Sequence, residues 1–170
     1  LNLSGDGNSI IVGSDADRHW VFKWSGTTWE QQGVYIDVIG GGAQRGQAIN
    51  TDGTVIAVGD ENGYGKIKIF EKNPSETAGN HVGWTQRGNT ITGTNSATTG
   101  RRLCITKDGN MIATPTYNNN TQANIYKYNS STNQWDNIPY DGNVNSNGQI
   151  KHVALSKFGT HIVLINQNTS

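Results

Sequence analysis

An all-β propeller is the fold class this sequence predicts, and three observations predict it. The first is repetition. Leu1-Asn2-Leu3-Ser4-Gly5-Asp6-Gly7, Gln47-Ala48-Ile49-Asn50-Thr51-Asp52-Gly53, Leu103-Cys104-Ile105-Thr106-Lys107-Asp108-Gly109 and Val153-Ala154-Leu155-Ser156-Lys157-Phe158-Gly159 are versions of one strand and turn, recurring roughly every 50 residues. The second is composition. Gly, Asn, Thr and Ser are abundant in the 170 residues, while Leu, Glu and Ala are scarce; the former favour turns and strands and make poor helices. The third is periodicity. No segment places apolar residues at i, i+3, i+4 and i+7 over three turns, whereas apolar runs of strand length recur.

Each unit opens on a short apolar strand whose small residues Ala48, Cys104 and Ala154 suit an innermost position, where blades converge. A Ser/Thr/Asn-x-Asp-Gly turn follows in the first three units. The Asp caps its own turn, and the Gly supplies the positive φ of a tight hairpin. Phe158 replaces the Asp in the fourth. The second strands, Ile10-Ile11-Val12-Gly13, Val55-Ile56-Ala57-Val58-Gly59, Met111-Ile112-Ala113-Thr114 and Ile162-Val163-Leu164-Ile165, are continuous apolar runs, as expected of strands buried on both faces. Third strands align at Val21-Phe22-Lys23-Trp24, Ile69-Phe70-Glu71-Lys72 and Ile125-Tyr126-Lys127-Tyr128. The fourth carries Trp29, Trp84 and Trp135. Gly33 and Gly88 follow the first two at the same spacing, but Pro139 stands there in the third, which predicts a bent or shorter outer strand.

Four antiparallel strands of rising polarity make a propeller blade. The units fall at approximately 1–43, 44–98 and 99–149, with the first half of a fourth at 150–170. Propellers close with about four to eight blades. The sequence is therefore expected to be part of a longer polypeptide that supplies the remaining blades, with self-association as the alternative route to closure.

The stretch Gly46-Gln47-Ala48-Ile49-Asn50-Thr51-Asp52-Gly53-Thr54-Val55-Ile56-Ala57-Val58-Gly59-Asp60, followed by Gly65-Lys66-Ile67-Lys68-Ile69-Phe70, resembles the FG-GAP-type repeats of integrin-α propellers. The resemblance implies a calcium loop between the first two strands. Here each loop offers one carboxylate, Asp6, Asp52 or Asp108, against the six to eight oxygens (roughly) that calcium takes. No metal and no cofactor is expected.

Charge narrows the function classes. Thirteen Lys and Arg balance thirteen Asp and Glu, so the basic excess of a nucleic-acid binder is missing. No apolar run is long enough to span a bilayer, so no membrane insertion by this segment is expected. Cys104 stands alone and reads as a small core residue. Sequons at Asn2, Asn119, Asn129 and Asn168 carry no information in a chain this rich in Asn, Ser and Thr.

Ligands of propellers favour the face built by the loops after the second strand and between units. The first set carries Asp15, Asp17, Asp60 and Glu61. The second ends in bases: Arg45, Arg101 with Arg102, and Lys151. These bases form either a ring that receives an acidic partner or ion pairs between blades, exposed pairs being common and weak. Trp29, Trp84 and Trp135 recur at one position and read as packing. Trp20 and Trp24 occur in one unit only, and are candidates for stacking on a sugar or for packing within the first blade. His19, His81, His152 and His161 show no metal-ligand spacing. No nucleophile elbow or phosphate loop occurs, so no catalytic residue is assigned. The expectation is a non-enzymatic scaffold or protein-interaction module of a larger surface, adhesion or particle-coat protein, placed extracellularly or on a cell or virion surface. Protein partners are expected. The alternatives are a glycan-binding, lectin-like propeller and a hydrolase or lyase whose site lies in loops of further blades.

Overall fold

The computed structural model describes residues 1–14, 18–37, 46–60, 64–93, 99–115, 123–139 and 148–168. Among these there is no helix, and hence none long and apolar enough to cross a membrane.

The first sheet runs β1 (Asn2–Leu3), β2 (Ser9–Gly13), β3 (Arg18–Trp24), β4 (Trp29–Gln31), with β5 (Ile36–Asp37) also paired to β3. The second contains β6 (Gln47–Ile49), β7 (Val55–Asp60), β8 (Lys66–Lys72), β9 (Trp84–Gln86) and β10 (Ile91–Thr92) in the same arrangement. The third is β11 (Cys104–Ile105), β12 (Met111–Pro115), β13 (Ala123–Asn129), β14 (Gln134–Ile138), and the fourth is the pair β15 (Gly148–Leu155) and β16 (Ile162–Asn168). All strand pairs are antiparallel, and consecutive sheets stack as propeller blades.

Burial follows from the stacking. Successive side chains of a strand point to opposite faces. Ile56 and Val58 of β7 accordingly enter a core with Ile11, Val21, Ile36, Ile49, Phe70 and Trp84, between the first and second sheets. Val55 and Ala57 of the same strand enter a second core with Ile67, Ile69, Ile112, Tyr126 and Trp135, between the second and third. The continuous apolar run at 55–59 is thus explained, since every residue of β7 is buried. In β2, burial alternates, because only one face is covered by a neighbouring sheet.

The turns behave as read. Ser4 Oγ donates to Asp6 Oδ1 at 2.6 Å, which also accepts the Asn8 N–H at 2.9 Å. Asp52 accepts from the Thr54 hydroxyl at 2.6 Å, and Asp108 from the Thr106 hydroxyl at 2.7 Å. These carboxylates are occupied in holding their own hairpins.

Two devices join the blades. At the turn end of the innermost strands, backbone hydrogen bonds run from sheet to sheet. Asp6 N–H donates to Thr51 O at 2.9 Å, Thr51 N–H to Lys107 O at 3.3 Å, and Lys107 N–H to Lys157 O at 2.9 Å. At the periphery, the recurring tryptophan of one blade locks onto the outer strand of the blade before it. Trp84 Nε1–H donates to Gln32 O, and Trp135 Nε1–H to Arg87 O, each at 2.8 Å. The next residue is Gly33 or Gly88, with φ of +73° or +78°. A Cβ there would fall 3.0 Å from Trp84 Cδ1 or 2.7 Å from Trp135 Cδ1. The Trp-to-Gly spacing is therefore a contact between blades, not within one.

This geometry corrects one expectation. The third outer strand, with Pro139 in place of glycine, is the longest, an unbroken five-residue β14. The outer strands of the first two units are the interrupted ones, split into β4 with β5 and β9 with β10. The left-handed glycine turns the backbone out of the ladder to admit the tryptophan, and Pro139 stands at that position in the third unit.

Candidate functional site at the channel mouth

The first strands β1, β6, β11 and β15 each pair only with the second strand of their sheet, so they are innermost. Residues at or just before the starts of β1, β6 and β11, with His152 and Val153 from within β15, line a cavity of about 330 Å³: Leu1, Asn2, Gly46, Gln47, Arg101, Arg102, Leu103, His152 and Val153. Four units thus contribute to one site, at the opposite end of these strands from the hydrogen-bonded belt.

The sequence builds the wall by close backbone approach. Gly46 N–H donates to Gly100 O at 2.9 Å, and Gly59 N–H to Gly46 O at 2.8 Å. A Cβ on Gly46 would fall 2.3 Å from Gly100 O, and one on Gly59 2.1 Å from it. Only glycine fits, and the segment carrying Arg101 and Arg102 is pressed against the second blade as a result. Gly100 N–H is anchored in turn by Thr114 Oγ1 at 3.1 Å. On the opposite side the Asn2 side-chain amide donates to Gln47 O. Gln47 Oε1 is buried and accepts no hydrogen bond among the described residues.

The cavity is polar and cationic. Arg102 and His152 are exposed at its wall, and Arg101 is half-buried. Arg101 and Lys151 are engaged by neighbouring groups, as is Asp60, which is 1% exposed in β7. Of the expected ring of bases, then, Arg101 and Arg102 line one cavity. Lys151 lies on β15 beside His152. Arg45, Asp15, Asp17 and Glu61 lie outside the described residues. Among the described residues no cluster of His, Cys, Asp or Glu could hold a metal ion.

Trp20 and Trp24 do not join this site. Trp20 is half-buried and meets Tyr35 with ring centroids 6.3 Å apart, while Arg18 caps that Tyr35 ring at 4.4 Å. Trp24 sits across from Trp29 at 5.5 Å on the periphery of the first blade. Metal-ligand spacing does not single out His152. The signal that finds it is register. Counted back from the turn glycines, Arg102 and His152 occupy one position, and Gln47, Leu103 and Val153 the next.

Cys104 lies on the adjoining inner strand. Burial pushes its thiol up to about 11, as befits a packed residue.

No family model matches the chain, and no curated protein matches it. Solved structures do. A complex of KlAtg21 with the coiled-coil of AgAtg16 matches with a TM-score of 0.68 at 14% identity, over 94% of this chain and 47% of that one. A protein assigned as a 6-phosphogluconolactonase from Bacteroides uniformis matches at 0.65 and 17% identity, over 96% and 45%. The periplasmic gluconolactonase PpgL of Pseudomonas aeruginosa matches at 0.61 and 16% identity, over 98% and 46%. The chain thus spans less than half the length of these proteins. At such identities the likeness establishes the fold, a β-propeller. It also corrects the functional expectation. Lactonases stand among the neighbours, nothing supports a non-enzymatic scaffold of a surface, adhesion or coat protein, and that reading is withdrawn. One neighbour is seen with a coiled-coil partner, a point of contact with the expectation of protein partners.

Proposed function

We propose that the channel-mouth cavity binds a small, oxygen-rich, anionic carbohydrate derivative, and that the chemistry carried out there is hydrolysis of a sugar lactone. The observation that carries this reading is the convergence of Arg101, Arg102, His152 and Asn2 on one cavity of about 330 Å³. A sugar-acid lactone presents hydroxyls for the Asn2 amide and, where phosphorylated, an anion that guanidinium forks hold well. The names of two neighbours point to the same substrate class.

Lactone opening needs little machinery. A water adds to the ring carbonyl, the ring C–O bond breaks, and the leaving oxygen takes a proton as the carboxylate forms. In this proposal His152 accepts the proton of the attacking water, a role histidine fills most often, and Arg102 stabilises the oxyanion. The likeness of the units to FG-GAP repeats is part of the proposal at the level of the repeat motif, without its calcium site.

The test is hydrolysis of glucono-δ-lactone and of its 6-phosphate, followed by proton release against the spontaneous rate, with gluconate and 6-phosphogluconate titrated calorimetrically. Acceleration that falls about 10²-fold or more in His152→Ala, with weaker product binding in Arg102→Ala, supports the proposal. Background rates together with no saturable binding of either acid would sink it.

A further inference from the structure

The tryptophan lock between blades is made twice among the described residues, and the first blade carries the same groups on a flank that no preceding blade covers. Trp84 and Trp135, locked onto the preceding blade, are 1% and 4% exposed, while Trp29, their equivalent, is 43% exposed. The turn glycines repeat the pattern. A Cβ on Gly53 would strike Ser9, one on Gly109 would strike Val55 and one on Gly159 would strike Met111, each the opening residue region of the second strand in the blade before. A Cβ on Gly7 would meet nothing within 4 Å. Leu3, on the innermost strand of the same sheet, and Leu1 just before it are 56% and 75% exposed.

The two existing interfaces also show what chemistry the lock reads. The residue before the glycine reaches the third-strand residue that pairs with the tryptophan in the following blade. Lys72 Nζ donates to Gln32 Oε1 at 2.5 Å, and the Arg87 guanidinium lies 4.2 Å above the Tyr128 ring. By register, Lys72 pairs with Trp84, Tyr128 with Trp135 and Trp24 with Trp29. Trp24 therefore occupies the position of Lys72 and Tyr128. A lysine is matched by an amide oxygen and an aromatic ring by a guanidinium. Tryptophan is the aromatic that binds a cation best.

We propose that Trp24 and Trp29 together form a docking key for a preceding four-stranded blade of this same repeat type, one whose outer strand ends in Arg-Gly with the glycine left-handed. Trp29 Nε1–H donates to the arginine's carbonyl, the glycine makes room for the indole, and the guanidinium covers Trp24. A second copy of this chain is a poorer occupant. Its own Gln32-Gly33 and Arg87-Gly88 are already taken by Trp84 and Trp135, and its third outer strand is followed by Pro139 where the lock needs glycine. Trp24, one of the two tryptophans that are candidates for stacking on a sugar, thus reads with Trp29 as an interface with another blade.

The experiment is a fusion in which an additional residue 44–98 unit, ending in Arg87-Gly88, precedes Leu1 of the full chain. Tryptophans carry a 5-fluoro label, and Trp24 and Trp29 are assigned in the fluorine spectrum by W24F and W29F. Expected is a roughly tenfold loss of solvent accessibility at Trp29, from its present 43% to the level of Trp84 and Trp135. Gly88→Ala in the added unit alone restores the exposure. Arg87→Gln in the added unit re-exposes Trp24 while Trp29 stays covered. A Trp29 as accessible in the folded fusion as in the chain itself overturns the proposal. So does a fusion that is less stable than the chain, since a docked blade adds burial. Sedimentation of the chain by itself is the remaining arm: a dimer with Trp29 shielded assigns the face to a second copy and overturns the blade as its occupant.

Discussion

Gly33→Ala separates the two demands made on one residue of the interface. Gly33 and Gly7 have nearly equal φ, +73° and +76°. Placing alanine in that left-handed region costs about 1–2 kcal/mol at either site. There the likeness ends. A Cβ on Gly7 finds open space, whereas on Gly33 it would lie 2.2 Å from Val82 O and 3.0 Å from Trp84 Cδ1. The first of these is backbone and cannot swing aside. Val82 O also accepts the Val34 N–H at 2.9 Å, so moving it strains a second bond between the blades. Relief must come by pulling the blades apart, which stretches the Trp84 Nε1–H bond to Gln32 O. Leaving that buried donor unpaired costs about 1–3 kcal/mol. The sum for Gly33→Ala is about 2–5 kcal/mol, against about 1–2 kcal/mol for Gly7→Ala. Urea unfolding followed by tryptophan emission and far-ultraviolet circular dichroism measures both. Gly33→Ala should also red-shift the native emission, as Trp84 gains water. Equal costs in the two variants, with native emission unchanged, would refute the argument that this glycine serves the neighbouring blade.

The remaining predictions concern the turns, the core thiol and the second lock. Partial burial pushes the Asp52 and Asp108 carboxyls up, but hydrogen bonds from Thr54, or from Thr106 and Asn110, outweigh it, and both lie below the ordinary value of 3.8. Asp6 is lowered chiefly by the Ser4 hydroxyl and the Asn8 N–H. A carboxyl whose folded pKa is depressed lends stability above its unfolded pKa and loses it as pH falls through the folded value. The acid limb of the pH–stability curve should therefore begin near pH 4 and flatten in the Asp52→Asn, Asp108→Asn double variant. Cys104, its thiol raised to about 11, should resist a thiol reagent at pH 8 in the native protein and react at once in urea. Cys104→Ala, matching Ala48 and Ala154, should cost less than about 1.5 kcal/mol in the same unfolding assay. Arg87→Ala removes the 2.5 Å bond to Asn110 Oδ1 and the cover over Tyr128, and should cost about 1–3 kcal/mol, with the Tyr128 hydroxyl still bonded to Asn133 as an internal control.

What was legible in the sequence is what is local or periodic. The Asp-Gly hairpins follow from a carboxylate two residues before the N–H it accepts, and such a bond needs no partner from elsewhere. Strand order follows from the apolar runs, and the buried face pairs of β7 follow from an unbroken run at 55–59. The tryptophan positions were legible as packing residues, but their partners were not. Trp84 is separated by 52 residues from the carbonyl it bonds, and the glycine that admits it looks, in sequence, like part of its own strand. That is why the outer strand of the third unit was expected to be the irregular one. The site was less legible still. Arg102, His152 and Gln47 meet because four innermost strands start at one end of the molecule, and no spacing along the chain announces that. Reading residues by their distance from the turn glycine recovers it.

The division of labour along the inner strands explains how a loose repeat can hold a fixed ring and a variable site together. At the turn end, neighbouring blades are joined through backbone groups of Asp6, Thr51, Lys107 and Lys157. Those bonds ask nothing of the side chains, and the side chains at that level indeed differ from unit to unit. At the periphery, the lock asks for an indole and a glycine, which recur. Seven residues before the turn glycine, at the channel mouth, the second unit needs Gly46 for its close approach to Gly100, but the third and fourth hold Arg102 and His152. Substitution of Arg102 or His152 changes the cavity chemistry without touching the backbone belt or the tryptophan locks. It follows that Arg102→Ala and His152→Ala should leave the unfolding midpoint nearly unchanged while altering ligand binding, whereas Trp84→Phe and Trp135→Phe should do the reverse. A loss of stability in Arg102→Ala comparable to that in Trp84→Phe would mean that the cavity residues brace the ring, and the separation of site from scaffold argued here would fail.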